Sequence, residues 1–431
     1  MTAYPTSAVT PWAGTELGLV ASHVDGAAGW TVDALIEPGL RRNPKRAHLW
    51  VSRVLGKHIP VAPSTIVRAG SDLADLVDLR GADSVIVFGF AETATGLGHV
   101  VARRLDAPVY LHSTRRPGPV GATWARFSEG HSHATDHLIQ PSSPELMETA
   151  DVLVLVDDEI STGATALDAI RSLHRLVPQR RYIVAALVDM RSEADVATCD
   201  AAAAELYITV DFVSLARGVA TVPADLVAQV AALPDPQPAA AHHRDTAGDG
   251  EVIRVDVPWS HHVPDGGRHG FLSTDEPAFA VLVDAAADAL APHLDPRRPV
   301  VVIGHEELMY LPLRIAAVLE TQGRIVLSQT TTRSPAHVRN VDGYPLRHGF
   351  AFTAPEVRTS PDAPLRYLYN AGEADPLTQR VLVVDAAADT DALVADDSVI
   401  AALTGSGRDL VVLVVGDTRF GALAAARGVG R

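Results

Sequence analysis

The chain has 431 residues, 47 % of them hydrophobic, and a formal net charge of −16. That length exceeds one ordinary hydrophobic core and implies two domains, while the acidic balance argues against non-specific binding of nucleic acid or of an anionic membrane surface. There is no apolar run of about 18 residues and no basic-then-apolar start, so neither a membrane span nor a signal peptide is expected; the single cysteine, Cys199, excludes an intrachain disulfide and fits a cytoplasmic protein.

In chain order, residues 41–58 come first as the one basic stretch (Arg41, Arg42, Lys45, Arg46, Lys57, His58), and they hold both lysines of the chain. Lysine confined to this stretch hints at contact with a base or a diphosphate across a crevice; a basic helix face pairing with the acidic body is the plainer reading. A strand over 84–88 then enters Gly89 and the turn Phe90, Ala91, Glu92, Thr93, Ala94, Thr95, Gly96, followed by a helix to about residue 104. Such turns line the crevice at the carboxyl ends of an open α/β sheet, and the small residues and hydroxyls of Ala91 to Gly96 suit close backbone approach to a diphosphate. A strand over 108–112 ends at Ser113-Thr114-Arg115-Arg116-Pro117, which sets two arginines on a Pro/Gly-rich loop where they can fold over an anion. His131, His133, Asp136 and His137 invite a metal reading, but their spacing misses the usual ligand pattern and no further cluster accompanies them. A polar wall beside a substrate, or an exposed loop, suits them better.

The most informative stretch is 152–165. Five apolar residues, 152–156, read as a buried parallel strand. Asp157, Asp158, Glu159 and Ile160 follow, then Ser161, Thr162, Gly163, Ala164 and Thr165, which open a helical pattern through Leu167, Ile170 and Leu173. Small hydroxyl residues and glycine at a helix start make an anion cradle, because free N–H groups and the positive dipole end converge there. Acids just before it would repel a bare phosphate but can accept from the vicinal hydroxyls of a ribose 5-phosphate. After the next strand, 182–188, Asp189, Met190 and Arg191 are candidates for contact with a base.

Residues 232–250, rich in Pro, Ala and His, read as a linker between 1–231 and 251–431. Beyond it the same order returns: a strand over 300–303 into Gly304, a helix to about 320, a strand over 324–328, and Thr331-Thr332-Arg333-Ser334-Pro335. Phe127 and His131 are echoed by Tyr344 and His348, and 152–157 by 381–385, which suggests a duplicated fold. The cradle does not recur. Asp385, Asp389 and Asp391 stand where it would be, so a second phosphate site is not expected.

The stretch 152–165 resembles the phosphoribosyl diphosphate (PRPP) loop of type I phosphoribosyltransferases, with orotate phosphoribosyltransferase-like members the nearest comparison. Thr332-Arg333-Ser334-Pro335, with Gly304, His305, Glu306 and Glu307 upstream, resembles the TRSP domain that follows a phosphoribosyltransferase domain in proteins of bacterial tellurite-resistance and stress-response gene clusters. The resemblance implies an α/β fold, a parallel-sheet transferase domain followed by a degenerate domain of similar architecture. It implies transfer of ribose 5-phosphate from PRPP to a nitrogen heterocycle, with Mg²⁺ as cofactor, in a cytoplasmic homodimer, giving a nucleoside-like metabolite. Asp157 and Asp158 would hold the ribose and Mg²⁺ and act with Arg115 and Arg116 in catalysis; Glu159 to Thr165 would complete the PRPP loop, and Ala91 to Gly96 would hold diphosphate. A PRPP-sensing protein without turnover and an assembly subunit are the rival readings.

Overall fold

The computed structural model describes residues 10–128, 136–148, 150–234, 239–240, 250–357, 363–372, 375–416 and 418–427. The first half is built on a seven-stranded sheet in the order Val20–Gly26, Thr209–Thr221, Arg181–Asp189, Val152–Ile160, Val85–Gly89, Val109–His112, Phe271–Leu272. The inner five strands are parallel, and the two outer strands run antiparallel to their neighbours. Inner strands are nearly all Val, Ile and Leu because both faces of the sheet are covered. Alternate side chains divide accordingly: Val152, Val154 and Val156 join one core with Leu73, Leu97 and Val101, while Leu153 and Leu155 join another with Ile170 and Leu173.

The second half carries a five-stranded, all-parallel sheet in the order Val252–Val257, Leu410–Val415, Gln379–Asp385, Val300–Gly304, Val326–Thr330. Four of these strands repeat the order of the first sheet, strand for strand. The fifth place differs: Thr209–Thr221 comes late in its domain and Val252–Val257 early, yet each extends the same edge. In both halves an antiparallel hairpin stands, in chain order, between the second and third repeated strands, Ala125–Ser128 with Asp136–Ile139 and Gly349–Thr353 with Leu365–Tyr369. Each hairpin is tied back by one bridge, Thr114 to Leu138 and Thr332 to Tyr367. Among the described residues no helix is long and apolar enough to cross a membrane.

Two sequence expectations shift. The strand expected over 152–156 runs on to Ile160, because its neighbour Arg181–Asp189 is equally long and pairs as far as Ile160 with Asp189. The three acids therefore lie on a strand end and not in a loop. The echo of Phe127 in Tyr344 is not structural: Phe127 sits in a hairpin strand, whereas Tyr344 precedes its hairpin. Tyr344 instead receives the Leu40 N–H at 3.1 Å and packs edge-on against Trp12. The longer chain between Thr332 and Gly349 carries it there.

The halves share one apolar core. Leu97 and Val101 belong to the same continuous cluster as Val300, Leu311, Ile315 and Phe279. Edge strands are also exchanged: Phe271 and Leu272 pair antiparallel with Tyr110 and Val109, and Val61 bridges antiparallel to Ser328.

Candidate functional site

Asp157, Asp158 and Glu159 stand half-buried at the carboxyl end of the central strand. The Asp158 N–H donates to Asp157 Oδ1 at 2.9 Å, which orients the Asp157 carboxylate on the strand. Gly163 adopts φ +82° and begins the helix Ala164–His174, whose N-terminus carries no side-chain cap. Ala164 N–H reaches Thr162 Oγ1 at 3.3 Å; the first N–H groups of a helix have no partner within it, which suits such a terminus to an anion. A Cβ on Gly163 would lie 2.7 Å from Cys199 Sγ, so glycine is required both for the left-handed backbone and for the buried thiol beneath it.

This loop forms one wall of a cavity of about 260 Å³. A second wall is the turn after Val85–Gly89, contributing Phe90, Ala91, Glu92 and Thr93. It is held by Phe90 N–H to Val156 O at 3.0 Å and Ala91 N–H to Ser113 Oγ at 2.8 Å, and its Ala91–Glu92 bond is cis. Ala94, Thr95 and Gly96 do not line the cavity; Thr95 Oγ1 donates to Glu307 O at 3.0 Å, and Gly96 faces Met309 across the domain contact.

The antiparallel hairpin Ile36–Leu40 and His48–Ser52 brings Arg41, Arg42, Asn43, Arg46, Leu49 and Trp50 to a third wall. Arg46 pairs with Glu159 at 2.7 Å. Burial pushes the Glu159 carboxyl above its ordinary value, and Arg46 opposes that shift. Lys57 approaches the buried Glu92 at 3.3 Å and donates to Thr93 Oγ1 at 2.5 Å. His58 also lines the cavity; burial, then Lys57 and Arg41, hold its imidazole well below the usual range, so it is neutral near pH 7.

The two arginines expected together are separated. Arg115 lines the cavity, and its Nη2 stands 3.1 Å from Nε2 of His137. His137 is buried, stacks on Phe127 at 4.4 Å and bonds Ser113 Oγ at 2.8 Å, so it positions the arginine and the turn beside it. His131 and His133 lie outside the described residues. Arg116 turns away into the second half, donating to Glu306 Oε2 at 3.1 Å and Asp385 Oδ2 at 2.7 Å. Asp189 and Arg191 are not on the cavity wall either: they pair with each other at 2.7 Å, and Arg191 lies over Phe212.

The last wall comes from the second half, where Arg333, Ser334 and Pro335 line the same cavity as the acidic strand. Arg333 is gripped by Glu306, Nε to Oε1 at 2.9 Å and Nη2 to Oε2 at 3.0 Å. Burial opposes charge on Glu306, but Arg116, His305, Arg333 and Arg366 outweigh it and hold the carboxyl well below its ordinary value. His305, Glu306 and Glu356 stand close enough to suit a metal. Arg333 and Arg366 already hold the two carboxylates.

Residues 35–219 match the family described as phosphoribosyl transferase. Residues 265–403 match the TRSP domain, described as lying C-terminal to that transferase domain. The chain is a phosphoribosyl transferase-family domain followed by a TRSP domain. No curated protein matches it. Similar solved structures include the adenine phosphoribosyltransferase of Rhodothermus marinus, 19 % identical over 43 % of this chain and 96 % of its own, TM-score 0.28. The enzyme of Giardia lamblia, complexed with 9-deazaadenine, is 19 % identical over 44 % of this chain and 99 % of its own, TM-score 0.31. That of Trypanosoma brucei, in complex with AMP, pyrophosphate and ribose-5-phosphate, is 13 % identical over 42 % of this chain and 77 % of its own, TM-score 0.28.

The transferase and TRSP domains clasp one another reciprocally. Glu92 of the transferase domain accepts from the Thr332 hydroxyl and from the Arg333 N–H, the latter at 3.2 Å. Glu307 of the TRSP domain accepts from the Thr114 hydroxyl and the Arg115 N–H, each at 2.6 Å. Glu92 and Glu307 each follow their strand-end glycine by three residues, so matching groups make matching contacts in both directions, the signature of an isologous interface. Sequence reasoning found the Thr-Arg-x-Pro echo but not this use of it.

Proposed function

We propose that the transferase domain moves ribose 5-phosphate from PRPP to a nitrogen of a heterocyclic base and releases diphosphate. The observation that carries this reading is the placement of Asp157 and Asp158 beside the bare N-terminus of helix Ala164–His174, in one cavity with Lys57 and Arg115. The cradle Ser161 to Thr165 takes the 5-phosphate on backbone N–H groups and hydroxyls. Asp157 and Asp158 accept from the ribose hydroxyls. The base nitrogen then forms the new bond to C1 as the C1–O electron pair leaves with diphosphate, and positive charge builds on the sugar.

Fixed carboxylates beside the ring stabilise that charge, while Lys57, Arg115 and the backbone of Ala91 to Thr93 stabilise the departing diphosphate. Half-buried aspartates are oxygen donors suited to Mg²⁺, directly or through water, and the ion, bound with the substrate, supplies charge neutralisation on the phosphates. Trp50 and Leu49 offer the apolar surface a flat base needs. The immediate product is a nucleotide, the base joined to ribose 5-phosphate; its use for a nucleoside-like metabolite of the stress response is what the resemblance of the TRSP domain implies.

The test is diphosphate release from PRPP with Mg²⁺ and a panel of heterocyclic bases. Asp157→Asn with Asp158→Asn is expected to weaken PRPP binding at least about 150-fold, two charge-assisted contacts of about 1.5–3 kcal/mol each. Unchanged affinity in that variant would remove the assignment. Asp-dependent PRPP binding with no release for any base would identify a PRPP sensor instead.

A further inference from the structure

The TRSP wall of the cavity has a consequence for how the site is built. Thr114 and Thr332 match through their hairpin bridges, so the residues that follow match as well: Arg115 with Arg333, Arg116 with Ser334, Pro117 with Pro335. Strand register extends the match to the acids. Phe88 pairs with Leu155 and Ile303 with Leu382, and Asp158 and Asp385 each stand three residues further on. In the TRSP domain the long side chain of Arg116 reaches into the strand-end crevice and bonds Asp385 at 2.7 Å. At the matching position over the transferase crevice stands Ser334, too short to reach Asp158, and there the cavity is open. Each domain thus roofs the other's crevice, one roof filling the space and the other leaving it free.

Resting on the PRPP reading above, we infer that the TRSP domain completes the PRPP site as a built-in second subunit, with Arg333 presenting its guanidinium to the diphosphate and Ser334 keeping the crevice open. Three observations support it. Arg333 shares the cavity with Lys57, Thr93 and Arg115, the groups next to which a diphosphate would lie if the 5-phosphate occupies the cradle. Its guanidinium is oriented in advance, since Glu306 holds two of its nitrogens and Arg115 O lies 3.5 Å from the third. Its backbone N–H is fixed to Glu92, the residue that also meets Lys57. A guanidinium so held loses little freedom when it meets a phosphate. The homodimer expected from sequence is on this reading supplied within one chain.

The test uses the full-length chain with Mg²⁺ and titrates PRPP, inorganic diphosphate and ribose 5-phosphate separately. Arg333→Ala is expected to weaken PRPP and diphosphate about 10- to 100-fold, the loss of charge-assisted hydrogen bonds, while ribose 5-phosphate binding changes less than about twofold. Arg333→Lys recovers part of the loss. Ser334→Arg, which places the closing residue of the other crevice over this one, abolishes binding of all three ligands without lowering the unfolding temperature.

Wild-type affinity for PRPP and diphosphate in Arg333→Ala, with binding still lost in Asp157→Asn/Asp158→Asn, would overturn the inference and leave the PRPP reading standing. Equal loss of all three ligands in Arg333→Ala would also overturn it, because the arginine would then hold the cavity's shape and not the diphosphate. Unaltered PRPP binding in Ser334→Arg contradicts the roof. Failure of the aspartate double variant to change anything removes the PRPP reading itself.

Discussion

Arg116 and Ser334 occupy matching positions over two matching crevices, and the difference in length between their side chains is the difference between a filled crevice and an open one. Arg116 is 5 % exposed and faces Glu306 and Asp385, which are 0 % and 6 % exposed. Burial opposes charge on Asp385, but Arg116 and Arg268 outweigh it and hold the carboxyl below its ordinary value. Removing one member of such a pair leaves a buried charge without compensation, which typically costs ~3–5 kcal/mol. Arg116→Met is therefore expected to lower stability by about that amount in denaturant unfolding while PRPP affinity, measured on the folded fraction, changes little. Arg115→Met should do the reverse, with a small stability effect and weakened binding of diphosphate. Both neighbours follow the same strand, which in the sequence marks them as a catalytic pair; only the fold shows that they face different domains.

At the scale of elements, the central strand, its turn and the helix Ala164–His174 form a contiguous unit, and this is why they were legible. A cradle made of consecutive residues leaves its pattern in consecutive letters. Lys57, Glu92 and Arg333 meet across long sequence separations, and no local pattern records their contact. Confinement of lysine to residues 41–58 and the Thr-Arg-x-Pro echo were the available signals, and they pointed to regions without giving the contact. The aromatic–histidine echo misled because spacing was conserved while the element was not: Tyr344 braces the hairpin Ile36–Leu40 instead of starting a hairpin of its own. Within the legible unit Gly163 is the most constrained position. Gly163→Ala meets both a left-handed φ of +82° and Cys199 Sγ at 2.7 Å, a strain of about 1–3 kcal/mol that should fall on the turn. PRPP affinity is expected to drop about tenfold or more, with far-UV circular dichroism unchanged; wild-type affinity would show that the turn does not need this conformation.

Over the whole molecule, the fold constrains the protonation of several buried groups, His112 and His269 at the domain contact and His48 on the first-half hairpin. Burial holds His112 and His269 at about 4, and burial with Arg46 and Arg41 holds His48 at about 3. A histidine with a lowered folded pKa contributes stability that is complete above its unfolded value near 6.5 and is lost as pH falls toward the folded value. Asp265, raised to about 6 by burial, acts in the opposite sense: its contribution is complete below about 4 and lost as pH rises through 6. His58 and His99, also held low by burial, add to these three histidines, which contribute about 2 kcal/mol each by pH 5. Together they outweigh Asp265 and the raised carboxyls of Glu37 and Glu159. The unfolding temperature is therefore expected to fall between pH 7 and pH 5, and His112→Gln should flatten part of that slope. A midpoint that rises on acidification would show that the histidines are not held neutral.

The same contact leads to the central claim, that two similar domains make one PRPP site. Calorimetric titration of the full chain with PRPP and Mg²⁺ tests it most directly. One PRPP bound per chain is predicted, abolished by Asp157→Asn with Asp158→Asn and unaffected by Asp385→Asn in chains that remain folded. Two equivalents per chain, or a single equivalent that survives the Asp157/Asp158 change and disappears with Asp385→Asn, would contradict it.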